Sequence, residues 1–112
     1  AKIVLRGRYL AKNTTGTIIE TPAQLFWRVA TDIAQAERLY PSAGRLPHAA
    51  QCWYDCMAQC DFLPNSPTLM NAGRRLQQLS ACFVLPVEDS LASIYDILKH
   101  QALIHQSGGG TG

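Results

Sequence analysis

Gln78-Leu79-Ser80-Ala81-Cys82-Phe83-Val84-Leu85-Pro86-Val87 is the stretch on which the fold of this chain turns. From Leu79 to Val87 it is nearly continuously apolar rather than alternating, which predicts a strand buried on both faces, as in parallel sheets covered by helices. Pro86 cannot donate to a ladder, so it ends the strand or places that end at an edge. Cys82 lies beside the small residues Ser80 and Ala81, where a thiol can be held rigidly while another molecule's backbone or sugar comes close. The plainer alternative is an inert core thiol, because free cysteine is among the most buried residue types.

Downstream, Asp89 or Ser90 is placed to cap a helix whose apolar positions Leu91, Ile94, Tyr95, Leu98 and Ala102 fit a period of 3.6 and carry it to about His105. Ser107-Gly108-Gly109-Gly110-Thr111-Gly112 comes next as a glycine loop, in which backbone amides can approach an anion or a sugar unobstructed. It is not a Walker loop, since no Gly-Lys-Ser/Thr is present after it, and it fails the dinucleotide fingerprint because it comes after a helix. Upstream, Phe62-Leu63-Pro64-Asn65-Ser66-Pro67-Thr68-Leu69-Met70-Asn71-Ala72-Gly73 is stiffened by two prolines. Asn65 and Ser66 there either face a ligand or serve only to cap a short helix over Thr68 to Ala72.

Thr21-Pro22-Ala23-Gln24 predicts a helix start, with Thr21 as N-cap, Pro22 at the first helical position and Gln24 closing a capping box. Leu25, Val29, Ile33 and Ala36 then form an apolar face to about Arg38, with Arg28, Asp32 and Gln35 pointing away. Residues 1 to 20 suggest a loose hairpin or an extended arm around Asn13-Thr14-Thr15-Gly16. Pro41 to Pro47 suggests a connector. His48 to about Cys60 predicts a second helix, on which His48, Cys52, Cys56 and Cys60 recur every four residues. Neighbours in such a row could share a metal, and His48, Cys52 and Cys56 are the candidates. Successive steps drift by about 40° round the axis, however, so the favoured reading is a core-facing stripe.

With 112 residues and 47% hydrophobic content, the chain suits one small packed domain. Its net charge of +2 comes from ten basic and eight acidic residues without a long run, so no nucleic-acid footprint is expected. The longest apolar run, Ala81 to Val87, has seven residues, against roughly 20 for a membrane span. The start, Ala1-Lys2-Ile3-Val4-Leu5-Arg6, lacks the apolar core of a signal peptide, which predicts a cytoplasmic location with the four cysteines kept as thiols. Ala1 in place of methionine, and a glycine loop at the last residue, predict the N-terminal piece of a longer protein.

Phe62 to Gly73, then Leu79 to Val87, then Glu88-Asp89-Ser90, then Ser107 to Gly112, in this order and at these distances, resemble the ribonucleotide reductase large chain, most like its adenosylcobalamin-dependent class. A looser similarity reaches back through Glu20-Thr21-Pro22 to Arg8-Tyr9-Leu10. The resemblance implies an α+β piece: a mainly helical N-terminal region over residues 1–61, followed over 62–112 by the first strand-helix unit of a ten-stranded α/β barrel.

It also implies an activity, the replacement of a ribonucleotide's 2′-hydroxyl by hydrogen through thiyl-radical chemistry. On this resemblance Cys82 is one of the two cysteines that supply electrons and become a disulfide. Ser66 is a substrate-phosphate contact, Ala81 and Cys82 line the ribose, and Gly110 gives a backbone contact beneath the substrate. Asp89, Ser90 and Leu91 begin the helix that helps to bind a nucleotide effector. The implied partners are a ribonucleoside diphosphate or triphosphate, a thioredoxin-type reductant and a second copy in a homodimer, with neither DNA nor a membrane. Adenosylcobalamin, the radical-forming cysteine and the second redox cysteine would be held by parts this chain lacks, so the piece alone is expected to be inactive. The alternative is a non-catalytic helical module that binds nucleotide or regulates such an enzyme.

Overall fold

The computed structural model describes residues 1–40 and 46–112. Helix α1 (Lys2–Val4) runs into a π-helical turn (Leu5–Tyr9) and is followed by α2 (Pro22–Ala34), a 3-10 turn (Gln35–Leu39), α3 (Leu46–Ala58) and α4 (Ser66–Asn71). A strand β1 (Cys82–Phe83), helix α5 (Leu91–Gln106) and strand β2 (Gly110–Thr111) complete the order. No helix among the described residues is long and apolar enough to cross a membrane.

The start of α2 follows the expected chemistry. Gln24 donates its backbone N–H to Thr21 Oγ1 at 3.3 Å, and Thr21 donates its own to Gln24 Oε1 at 2.8 Å, with Pro22 opening the helix. Leu25 and Val29 from this helix are fully buried, and α2 packs most extensively against α3. Met57 from α3, Leu69 and Ala72 from the α4 region, and Leu10 from the arm complete the core.

Arg28 departs from expectation. It turns inward instead of pointing away, because Glu20 stands beside it as a half-buried ion partner, with Nε–Oε1 at 2.8 Å. Ala36, expected on the apolar face, is exposed, because Ala30 and Ala34 occupy the core side instead.

The first residues are helical rather than extended. Leu10 donates its N–H to Leu5 O at 2.9 Å, closing the wide turn and bringing Leu10 into the core. The hairpin expected around Asn13 to Gly16 is present, bridged antiparallel at Lys12 and Ile18. Asn13 Oδ1 accepts from the N–H groups of Thr15 and Thr17 at 3.0 and 2.8 Å.

The connector expected over Pro41–Pro47 lies outside the described residues as far as position 45. Its last two positions open α3, where a proline in the first turn is tolerated. The cysteine stripe does not face the core: Cys52 and Cys60 are exposed and Cys56 is half-buried. Ala50, Tyr54 and Met57, spaced four and three apart, take the inner face.

Helix α3 ends on Cys60 at φ 63°, with Asp61 N–H donating to Cys56 O and Cys60 N–H donating to Met57 O. This is a Schellman end with cysteine where glycine is usual. Cys60→Gly is therefore expected to stabilise the chain by about 1 kcal/mol, read as a raised midpoint in thermal unfolding. An unchanged or lowered midpoint would show that the left-handed residue is not under strain.

The strand expected over Leu79–Val87 is much shorter and more open than its composition suggests. Its strand register covers Cys82 and Phe83, with Leu85 N–H donating to Gly112 O at 3.2 Å beyond them, and Val84 and Val87 are 87% and 64% exposed. A doubly covered strand needs neighbours on both edges and helices on both faces, whereas here β1 has one partner strand, β2, and one helix, α5. Helix α5 is capped by Ser90, whose hydroxyl accepts from Ser93 N at 3.2 Å. Its half-buried positions are Ser93, Ile97, Gln101 and Ile104, while Leu91 and Tyr95 remain open.

Candidate functional site

The glycine run forms an ordered return from helix to strand. Gly108 takes φ 86°, its N–H donates to His105 O at 3.0 Å, and that of Gly109 donates to Ile104 O at 3.1 Å, the hydrogen-bond pair of a Schellman end. Gly109 is buried, and a Cβ there would stand 2.7 Å from Ile104 Cγ2 and 2.9 Å from Phe83 Cε2. Gly110 then enters β2, paired parallel with Cys82, and its N–H donates to Ala81 O at 2.6 Å. Gly112 N–H donates to Phe83 O at 3.0 Å, and His105 Nε2 lies 3.1 Å from Thr111 Oγ1. The expected glycine loop is thus a helix end followed by a strand.

Phe83 packs toward α5, because the space beside Gly109 is bounded by both Phe83 and Ile104. Successive strand side chains alternate between faces, so Cys82 projects from the face that α5 leaves open. Its thiol is exposed. A Cβ at Gly110 would meet only Ala81 O, at an ordinary 3.6 Å, so packing within this chain does not require a glycine there. Ala81, Cys82 and Gly110 therefore come together as one small-residue patch with a free thiol.

Ser66 stands on the neighbouring element. Asn65 caps α4, its Oδ1 accepting from Thr68 N at 3.0 Å, so the capped-helix reading of this segment describes the backbone while Ser66 remains exposed at the first helical position. Two side chains of α4 grip the lead-in to β1. Asn71 Nδ2 donates to Gln78 O at 2.8 Å, and Thr68 Oγ1 lies 3.0 Å from Leu79 O and 2.6 Å from Asn65 Oδ1, so that its single proton serves both. The helix bearing Ser66 and the strand bearing Cys82 share one frame through these bonds. The Asn-Ser-Pro-Thr pattern signals the cap in sequence, but nothing local signals the contacts to residues 78 and 79.

Asp89, Ser90 and Leu91 are not brought to this patch. They lie at the opposite end of α5, which at 16 residues is about 24 Å long. Ser90 there borders a hollow of about 460 Å³ that Glu88, Ser93, Asp96 and His100 also line. On α3, His48 Nε2 lies 3.6 Å from Cys52 Sγ. Among the described residues no three His, Cys, Asp or Glu side chains gather into a metal-holding group.

Residues 1–77 match the family model described as ribonucleotide reductase, all-alpha domain, and residues 80–112 match ribonucleotide reductase, barrel domain. A vitamin B12-dependent ribonucleoside-diphosphate reductase of Mycobacterium tuberculosis is 44% identical across all of this chain and 16% of its own length. Its counterpart from Thermoplasma acidophilum is 39% identical across 97% of this chain and 21% of its own length. The ribonucleoside-diphosphate reductase large subunit of African swine fever virus is 36% identical across 96% and 13%. The chain therefore spans between 13% and 21% of the length of these relatives. Helices first and a parallel strand-helix-strand unit after them agree with an all-alpha domain followed by part of a barrel domain, and the chain belongs to the ribonucleotide reductase large-chain family.

Proposed function

We propose that this chain is part of a ribonucleotide reductase that converts ribonucleoside diphosphates or triphosphates to deoxyribonucleotides, with Cys82 as one half of the electron-donating thiol pair. One observation carries it: an exposed thiol on the face of β1 away from α5, opposite a glycine that the chain's own packing does not require. Ribose needs that kind of wall, a small-residue floor at Ala81 and Gly110 with a reductant at its edge. Ser66 contacts the substrate phosphates, and Asp89, Ser90 and Leu91 contribute to a separate effector site. The open apolar side chains of Val84, Val87, Leu91 and Tyr95 favour a part of a larger enzyme over a free-standing regulatory module.

The redox step balances without other groups. The substrate loses its 2′-oxygen as water and gains one hydrogen at carbon, while two thiols give up two protons and two electrons and close one S–S bond. The second thiol comes from residues beyond this chain, and a thioredoxin-type dithiol then reopens the disulfide.

The names of the relatives support adenosylcobalamin as cofactor, which supplies the radical when bound. The hollow beside the strand pair does not fit it, measuring only about 210 Å³ between Leu85, Val87, Ile97, Gln101, Thr111 and Gly112. Its binding falls to other parts of a homodimeric, cytoplasmic enzyme.

A single-turnover experiment tests the proposal. Complete reductase given substrate but no external dithiol should yield about one deoxynucleotide per site, the stoichiometry of one dithiol. Peptide mapping should then find Cys82 in a disulfide. A Cys82 thiol that alkylates as readily after turnover as before removes it from the pair.

A further inference from the structure

We infer that Tyr9 is a positioning residue for the substrate-phosphate contact, orienting the Ser66 hydroxyl so that its proton points at the phosphate; this rests on the assignment of Ser66 above. Tyr9 OH lies 2.9 Å from Ser66 Oγ, across 57 residues of sequence. Tyr9 closes the π-helical turn Leu5–Tyr9, and its ring packs against the core formed by Leu10, Leu25 and Leu69. The extra residue of a π turn shifts the residue that closes it by about 100° round the axis, here Tyr9. Single π turns recur at functional sites.

The direction of the hydrogen bonds is set by the ligand's chemistry. An ionised phosphate oxygen only accepts, so Ser66 must donate its one proton to it. The Ser66 oxygen is then an acceptor, and Tyr9, with an O–H of its own, is the group that donates to it. The chain Tyr9 O–H to Ser66 O–H to phosphate runs one way, and each link strengthens the next by polarisation. Without Tyr9 the serine hydroxyl is free to turn, and its proton samples positions that miss the phosphate.

The test uses the complete reductase. Tyr9→Phe keeps the ring and its packing while removing only the hydroxyl. It should raise the KM for a ribonucleoside diphosphate, and its Kd in cofactor-free enzyme, by about three- to tenfold, with kcat within about twofold and an unchanged unfolding midpoint. Ser66→Ala should raise both constants at least as much. The double variant should be no weaker than Ser66→Ala alone, because Tyr9 acts only through that hydroxyl.

Wild-type constants in Tyr9→Phe overturn the inference, as do losses that simply multiply in the double variant, and so does a fall in kcat with KM unmoved. Wild-type constants in Ser66→Ala instead overturn the phosphate assignment of Ser66 itself, and the two failures are thereby told apart.

Discussion

Cys82→Ser in the complete reductase is expected to abolish sustained turnover with a dithiol reductant while nucleotide binding survives. The substitution exchanges sulfur for oxygen on a side chain whose surroundings are set by backbone: Gly110 N–H on Ala81 O and Gly112 N–H on Phe83 O hold β1 and β2 in register whatever the residue at 82. A serine hydroxyl fits the same space but cannot close an S–S bond, so the two electrons have no source within the protein. The loss should be at least about a thousandfold in kcat, or ~4 kcal/mol of barrier, with substrate Kd changed by no more than about twofold. Replacing Cys52, Cys56 and Cys60 together by serine serves as the contrast, since these sulfurs belong to α3 and its C-terminal turn and not to the strand pair. Turnover by Cys82→Ser close to that of the wild type would mean that this thiol donates no electrons.

The features legible in the sequence are local ones. Thr21, Pro22 and Gln24 lie within one turn of each other, so the start of α2 was legible from four residues. The cap at Ser90 and the end of α5 at the glycines were legible for the same reason, a positive φ at Gly108 being a property of one residue and its neighbours. The extent of β1 was not, because a continuous apolar run reports that something covers it and not whether the cover lies in this chain. The cysteine row misled for a related reason. Its spacing of four suggested a stripe, and cysteine's usual burial suggested that the stripe faces inward, yet the bulkier Tyr54 and Met57 compete for the same inner face and occupy it.

The candidate site divides in the same way. The small residues at 80, 81 and 110 and the thiol among them are visible as composition, and their meeting across one parallel pair follows from the strand-helix-strand order. The bonds that set the site's geometry join residues far apart in the chain. Thr68 reaches Leu79, Asn71 reaches Gln78, and Tyr9 reaches Ser66. A single sequence carries no periodicity that couples such positions. Arg28 reads from the sequence as solvent-facing on α2 for the same cause, since its acceptors are Glu20 and two carbonyls more than forty residues away.

Arg28→Met is expected to be the most damaging substitution for the fold. The guanidinium makes a two-pronged pair with Glu20, Nε to Oε1 at 2.8 Å and Nη2 to Oε2 at 3.2 Å, with side-chain exposures of only 16% and 8%. The same head group donates to Leu69 O at 3.3 Å and to Ala72 O, satisfying carbonyls at the end of α4. Glu20 in turn accepts the N–H of Ala11 at 2.9 Å, so one ion pair ties the arm, α2 and α4 together.

Methionine preserves the stem that packs against Gly73 but leaves the Glu20 carboxylate buried and unpaired, which costs about 3 kcal/mol or more. That is a large share of the ~5–15 kcal/mol that holds a small domain together, and it should appear as a lowered urea midpoint of the chain. Adding Glu20→Gln removes the stranded charge while keeping an acceptor for Ala11, so the double variant should be more stable than Arg28→Met alone. It should not recover fully, because the two α4 carbonyls still lack their donor. Since α4 carries Ser66 at one end and holds Leu79 through Thr68, loosening its other end should also weaken substrate binding in the complete enzyme. A loss of less than about 1 kcal/mol in Arg28→Met, the range of an exposed pair, would mean that the clasp contributes no more than a surface contact.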